Sequence, residues 1–128
     1  MKLGIIGSPD ITLFNPILYF QLKEPNFQRF CAENGFKKCK VSTIVTSSRD
    51  GADAAARNWA TLLGFNQITF NPENNTPPAL LACSKKIIDH SDVILFVQNS
   101  SSDDLAAILN YAAQQKKPHY LIYEFSFA

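Results

Sequence analysis

The sequence predicts an α/β fold in which a mainly parallel sheet of five strands forms the middle layer of a three-layer sandwich. Two observations lead to this prediction. Five short apolar segments alternate along the chain with segments of helical periodicity, the pattern of parallel strands joined by crossover helices. One of them, 93–97, is apolar at every position, which is typical of a strand covered by helices on both faces. The length of 128 residues corresponds to a single domain, predicted to span 1–128.

The first half of the chain contains two predicted strands with one or two helices between them. The apolar run from Leu3 to Gly7 predicts a strand that ends at a Gly-Ser-Pro turn. Residues 14–33 show mixed helical spacing interrupted by two prolines, so we expect one or two helices, the second over 26–34 with Gly35 closing it. Residues 41–46 are rich in β-branched side chains and predict the second strand.

The second half begins with the clearest helix of the sequence. Residues 50–63 place alanines, leucines and Trp59 on one helical face. Asp50 is predicted to cap the start of this helix and Gly64 to end it. The same periodicities predict strands over 67–70, 92–98 and 119–124, and helices over 79–90 and 105–117.

Composition and charge exclude several classes of protein. With 46% apolar and 18% charged residues, the chain is expected to fold rather than to remain disordered. Its net charge of +1 does not favour binding to nucleic acid. No apolar run has the length of a membrane span, and the first apolar segment is too short for a signal peptide, so a cytoplasmic location is expected.

The cysteines and histidines argue against disulfide and metal chemistry. The chain has three cysteines, Cys31, Cys39 and Cys83, an odd number that does not suggest a disulfide framework. It has no Cys-x-x-Cys pair and only two histidines, so the spacing of a zinc site is lacking. We therefore predict no metal and no cofactor, and interpret the cysteines as core or surface thiols.

Three loops follow the carboxyl ends of predicted parallel strands, the place where ligands bind in open α/β sheets. They are rich in hydroxyl groups and small side chains and comprise 7–10, 46–51 and 99–104. The second and third lead into helices, whose N-terminal N–H groups favour anions. The loops are interpreted as a site for a nucleotide or sugar phosphate, with Arg49, their only arginine, pairing with an anionic group. Ordinary turns and helix caps are the alternative interpretation.

Five segments, in the same order along nearly the whole chain, resemble the YspA-type SLOG family. Residues 2–8 resemble the family's first strand and Gly-Ser turn, and 44–53 resemble its second motif, a Ser-Gly-Gly-Ala-Arg-Gly-Ala-Asp run. The similarity continues in the following helix at Ala56, Trp59 and Ala60. Residues 91–96 resemble the Ala-Asp with which a strand of the family begins. Residues 116–118 resemble the family's Gly-Lys-Pro before the last strand.

The resemblance implies a Rossmann-like fold and a nucleotide or nucleotide-derived ligand. SLOG proteins include phosphoribohydrolases that activate cytokinins, DNA-processing proteins and sensor domains of bacterial immune systems. The first two loops are implied to supply most of the ligand-binding backbone. A homodimer is also implied, because relatives commonly dimerise through helices beside the ligand cleft. Position and resemblance together predict these ligand-binding residues: Gly7, Ser8, Thr46, Ser47, Ser48, Arg49, Gly51, Asp53, Asn99, Ser100, Ser101 and Ser102.

Several positions depart from the family pattern. Ser47 and Ser48 occupy the places of two glycines, and Asp50 occupies the place of an arginine. Asn110 falls where many catalytic relatives carry a glutamate, and an amide cannot act as a carboxylate base or nucleophile. These departures favour a module that binds a nucleotide-derived molecule, as a sensor or by sequestering it, without turning it over.

Two other functions stay open at this point. One is a hydrolase of the N-glycosidic bond of a nucleotide, which would need a loop acid such as Asp53, Asp103 or Asp104 as its base. The same acids are well placed to cap or flank helix starts. The other is a degenerate scaffold that only forms protein contacts. The sequence leaves open whether the chain is an enzyme.

Overall fold

The computed structural model describes residues 1–11, 14–36, 40–99 and 103–123. Five strands lie in this part of the chain: β1 (Lys2–Gly7), β2 (Thr43–Ser47), β3 (Asn66–Phe70), β4 (Val93–Gln98) and β5 (His119–Tyr123). The helices are α1 (Ile17–Phe20), α2 (Pro25–Glu33), α3 (Ala52–Leu63), α4 (Pro77–Asp89) and α5 (Asp103–Gln114). None of the helices in these ranges combines the length and apolar character that crossing a membrane requires.

The five strands form one parallel sheet in the order β3-β2-β1-β4-β5. This confirms the predicted α/β, Rossmann-like three-layer fold. Strand β4 pairs with β1 from Leu3↔Val93 to Gly7↔Val97, and its residues 93–97 are fully buried, as their continuous apolar run predicts. The strand order reverses between β1 and β4, so the connections leave these two neighbours in opposite directions. A crevice is expected beyond the carboxyl ends of such a pair.

Helices cover both faces of the sheet. On one face α1, α2 and α3 pack against a cluster that includes Ile5 and Phe27. On the other face α4 and α5 pack against a cluster that includes Ile6 and Ile87. The neighbouring residues Ile5 and Ile6 thus enter opposite layers, because successive side chains of a strand point to opposite faces.

Element boundaries differ from the prediction where proline or a left-handed residue decides them. Helix α2 begins at Pro25 and α4 at Pro77, one and two residues earlier than predicted, because the first helical turn does not need the N–H that proline lacks. Helix α5 ends at Gln114 rather than at 117, since Lys116 adopts a left-handed conformation with φ 55°. The predicted end of the last strand, residue 124, lies outside the described residues.

The start of α3 corrects one prediction about capping. The residue at the N-cap is Gly51, with no side-chain capping bond, so the prediction that Asp50 caps this helix is wrong. Gly51 has φ 80°, and a Cβ built on it would lie 2.3 Å from the carbonyl oxygen of Ser8. The turn therefore needs a glycine, because the loop after β1 crosses directly over it. Gly64 ends α3 in the left-handed conformation, as predicted.

Candidate functional site

A cavity of about 490 Å³ opens at the carboxyl ends of β1 and β4, between the first turns of α4 and α5. It lies at the edge of the sheet where the sequence predicts a ligand site. Its walls are mostly aliphatic, with a few polar groups from the strand ends. The lining residues are Ile6, Gly7, Ser8, Pro9, Arg49, Pro77, Pro78, Leu80, Leu81, Ser84, Gln98, Asp104, Leu105, Ala107 and Ile108.

The end of β1 is joined to the end of β4 by polar groups at one side of the cavity. The backbone N–H of Ser8 donates to the carbonyl of Val97 at 3.0 Å, which extends the strand pairing by one residue. The Ser8 hydroxyl donates to Oε1 of Gln98 at 2.9 Å, and the Gln98 amide donates to the carbonyl of Ile6 at 3.4 Å. The side-chain amide of Gln98 is thereby held at the cavity wall by both neighbours.

Asp53 lies beneath this side of the cavity, in the first turn of α3. Its side chain is 2% exposed. Oδ1 accepts a hydrogen bond from the Gly7 N–H at 3.0 Å, and Oδ2 accepts one from the Ser47 hydroxyl. Burial raises the pKa of the Asp53 carboxyl from its ordinary 3.8 to about 6, while the bonds from Ser47 and Gly7 and the charge of Arg49 act in the opposite direction. Asp53 therefore ties the ends of β1 and β2 together from below.

A second arginine orders the loop after β2. The Arg57 guanidinium donates from α3 to the carbonyl of Ser47 and, at 2.8 Å, to the carbonyl of Arg49. The Arg49 N–H donates to the Ser47 hydroxyl at 3.1 Å. The backbone of Arg49 is thus held at two points. Because both partners lie in β2 or α3, the loop is anchored to the sheet and not only to itself.

The side chain of Arg49 is half-buried at the wall of the cavity. Within the part of the chain that the structure describes, no hydrogen bond or ion pair engages its guanidinium. Five N–H donors are therefore available to a ligand in a planar array that matches carboxylate and phosphate oxygens. Arg49 is the cation that the described lining presents, and Asp104 is the acid.

The opposite wall comes from α4 and α5 and is largely apolar. Its apolar side chains include Leu81, Leu105 and Ile108. One polar side chain interrupts it: Ser84 is 7% exposed, and its hydroxyl bonds to no described residue. Since no fully buried side-chain N or O atom of the described residues lacks a partner, this hydroxyl must open into the cavity that it lines.

The structure separates the predicted site residues into groups. Gly7, Ser8 and Arg49 line the cavity. Thr46, Ser47 and Asp53 are buried below it. Gly51 lies under the Ser8–Pro9 turn, whereas Ser48 is exposed and outside the lining. The Asn99 amide donates to Asp10 at 2.5 Å, and Ser100, Ser101 and Ser102 lie outside the described residues.

Sequence reasoning missed two kinds of site residue. It missed the wall formed by α4, because a ligand site was expected only in loops at strand ends. The pair Pro77-Pro78 indicates where this helix starts, but it does not indicate that the helix lines a cavity. It also missed Gln98 and Arg57. Gln98 had a signal, because it is the one polar residue at the carboxyl end of an apolar strand. Among the described residues, no group of three or more His, Cys, Asp or Glu side chains is placed to hold a metal ion.

Asn110 corresponds to a glutamate of catalytic members in the family that the sequence resembles. It is exposed on α5 and is not among the residues that line the cavity. Cys31 and Cys83 are buried free thiols, and Cys39 lies outside the described residues. No family model, curated protein or solved structure matches this chain. The resemblance to SLOG proteins stays a hypothesis.

Proposed function

We propose that this chain binds an anionic, nucleotide-derived small molecule in the cavity at the ends of β1 and β4, and holds it without catalysis as a sensor or sequestering module. The observation that carries the proposal is the Arg49 guanidinium, half-buried at the cavity wall and engaged by no hydrogen bond or ion pair in the described chain. The cavity that Arg49 lines lies at the reversal of strand order between β1 and β4, where open α/β sheets bind ligands.

An unpaired guanidinium beside an apolar wall favours an anionic ligand. Water screens the charge less there than on an open surface, so a phosphate at this position would form strong, charge-assisted hydrogen bonds. The backbone of Arg49 is fixed by Ser47 and Arg57, which lowers the ordering cost of binding. These contacts support Arg49 as the residue that orients the ligand.

The remaining lining suits a compact body with few polar groups. A volume of about 490 Å³ falls within the ordinary size range of small-molecule sites. The aliphatic wall from α4 and α5 offers burial to a nucleobase or a similar ring. Ser84 offers a hydroxyl at this wall, and Gln98 offers an amide at the opposite side of the cavity; both groups can bond to ring nitrogens or to ribose hydroxyls.

Binding without turnover is supported by the placement of the acids. Asp53 is buried, with hydrogen bonds to both oxygens, and Asn110 lies outside the lining. Asp104 lines the cavity and is exposed, so it is the acid that could act as the base of a nucleotide N-glycosidic hydrolase. This alternative is tested by product analysis. The third alternative, a scaffold that only forms protein contacts, predicts that the cavity binds none of these molecules.

The test is thermal-shift screening against AMP, ADP-ribose and cyclic AMP, followed by calorimetry and product analysis of each hit. Adenosine serves as the ligand lacking the anion. Arg49→Gln should weaken AMP binding by about 1.5–3 kcal/mol, the loss of a charge-assisted hydrogen bond, and should leave the weaker adenosine binding unchanged. Arg29→Gln, on the exposed side of α2, is the matched control and should bind both like the wild type.

Three results would change the conclusion. Release of free base or ribose phosphate from a bound nucleotide would show that the protein is a hydrolase and not a binding module. Equal loss of AMP and adenosine affinity in Arg49→Gln would remove Arg49 from the anion site. No binding of any probe to the folded wild-type protein would leave the scaffold alternative.

A further inference from the structure

We infer that Asp53 takes up a proton when an anionic ligand occupies the cavity, so that binding at Arg49 strengthens as the pH falls. The inference rests on the proposed function and concerns the regulation of the same site. In this role the buried Asp53 carboxyl below the cavity is a proton acceptor coupled to the ligand, in addition to its structural hydrogen bonds.

A continuous hydrogen-bonded path joins the cavity wall to Asp53. The N–H of Arg49 donates to the Ser47 hydroxyl at 3.1 Å, and that hydroxyl donates to Oδ2 of Asp53. The second path runs through Gly7, which lines the cavity and donates its N–H to Oδ1 at 3.0 Å. A Cβ built on Gly7 would lie 3.5 Å from that oxygen, so the carboxylate is separated from the cavity by little more than the backbone.

Arg49 is the charged group whose field stabilises the ionised form of Asp53. From β1 the carboxyl faces the Gly7 N–H, and from β2 it faces the Ser47 hydroxyl. On α3 itself, one turn further along, the guanidinium of Arg57 is directed to backbone carbonyls.

The titratable group of α4 near this carboxyl is the Cys83 thiol. Burial, and after it the charge of Asp53, raises the pKa of Cys83, so the thiol stays neutral in mild acid and at neutral pH. The histidines lie elsewhere. His90 ends α4 and His119 begins β5, both toward the amino ends of the strands.

An anion at Arg49 would offset the positive charge that, after the hydrogen bonds from Ser47 and Gly7, lowers the pKa of Asp53. Burial already raises that pKa to about 6, so a further rise brings it into the neutral range. Linkage makes the effect reciprocal: if the ligand favours the protonated carboxyl, protonation favours the ligand by the same free energy. Each pKa unit added by the ligand corresponds to about a tenfold gain in affinity between high and low pH.

Calorimetry with cyclic AMP and ADP-ribose tests the coupling. Their phosphodiester and pyrophosphate charges stay constant in this range, whereas the phosphate of AMP itself titrates near pH 6. In buffers of different ionisation enthalpy at about pH 6.5, wild type should take up a fraction of a proton per ligand bound. Its affinity should fall about three- to tenfold from about pH 5.5 to about pH 8.

Asp53→Asn should show neither effect, and at the higher pH it should bind more tightly than the wild type, because the neutral amide resembles the protonated carboxyl. Asp92→Asn is the matched control: this exposed carboxylate accepts a bond from the Lys2 N–H at the other end of the sheet, and the variant should behave like the wild type.

If Asp53→Asn does not fold, a ¹³C titration of the Asp53 carboxyl in the wild type and in Arg49→Gln replaces that variant. Its pKa should be higher in Arg49→Gln than in the wild type.

The outcomes separate the two proposals. Binding whose affinity is independent of pH, without proton uptake, overturns the coupling and leaves the proposed function standing. An unchanged Asp53 pKa in Arg49→Gln also overturns the coupling. No binding of either probe or of AMP overturns the proposed function and the coupling with it.

Discussion

Asp53 accepts a hydrogen bond from the backbone N–H of Gly7 at 3.0 Å, although the two residues are 46 positions apart in the sequence. The bond joins the first turn of α3 to the end of β1, directly below the cavity. It requires a close approach, since a Cβ on Gly7 would lie 2.3 Å from that of Ala52. Gly7 and Asp53 together therefore determine how the loops after β1 and β2 sit on the sheet.

We expect Asp53 to make the protein less stable at neutral pH than in mild acid. Its folded-state pKa of about 6 exceeds the ordinary 3.8, so the folded state binds the proton more tightly than the unfolded state, and stability falls as the pH rises between these values. The difference corresponds to about 3 kcal/mol. Asn at this position can accept from the Gly7 N–H and donate to Ser47. Asp53→Asn should thus gain stability relative to wild type at about pH 8, and the gain should shrink toward about pH 5.

Urea unfolding at both pH values checks this, with the fluorescence of the single tryptophan, Trp59, as the signal. Comparing wild type and variant at each pH cancels the contribution of other carboxyl groups. A free-energy difference that does not change with pH would show that Asp53 titrates alike in the folded and unfolded states.

A side chain at Gly51 should disturb both folding and binding. Its φ of 80° is left-handed, and the added Cβ would meet the Ser8 carbonyl oxygen at 2.3 Å. Gly35 is the matched control, because its φ is 89° and its Cβ position is open. Gly35→Ala should lose about 1–2 kcal/mol for the left-handed conformation alone, and Gly51→Ala should lose more. Equal losses in urea unfolding would mean that the β1 loop moves aside at no cost.

Two neighbouring alanines on α5 test the location of the ligand. Ala106 and Ala107 are both exposed, but only Ala107 is among the residues that line the cavity. Ala107→Trp should fill the cavity and weaken AMP binding at least about tenfold, while Ala106→Trp should leave it unchanged. Calorimetry on both variants gives the answer. Unchanged affinity in Ala107→Trp would place the ligand elsewhere on the protein.

The homodimer implied by the resemblance stays a prediction. The structure excludes one candidate for its interface, the apolar face of α5. The apolar face of α5 that the sequence offers is used within the chain: Leu105 and Ala112 are buried, and Ile108 and Leu109 pack against the same cluster. A dimer would have to use another surface. Light scattering at working concentration should give about twice the chain mass of 14.3 kDa. A species of the chain mass alone would count against dimerisation.

Part of the candidate site was predictable from the sequence. The carboxyl ends of parallel strands meet at one edge, so hydroxyl-rich loops after apolar runs indicate that edge without knowledge of the strand order. Gly7, Ser8 and Arg49, which come from two of these loops, accordingly line one cavity. The burial of Thr46, Ser47 and Asp53 was not predictable, because a polar residue near a strand end can face a cavity or the layer below it, and only packing selects between them.

The sequence by itself determined the elements of this protein, since the spacing of apolar side chains and the placement of glycine and proline act over a few residues. It yielded five strands, the alternation with helices and the end of α3 at Gly64. Tertiary structure alone decided which strands are neighbours and what faces the cavity. Pairing of β1 with β4 brings Ser8 within 2.9 Å of Gln98 across 90 positions, and the crossover through α4 places Ser84 at the opposite wall. Such contacts form because the whole core buries its apolar surface together, and a local sequence pattern does not indicate which distant segments then become neighbours.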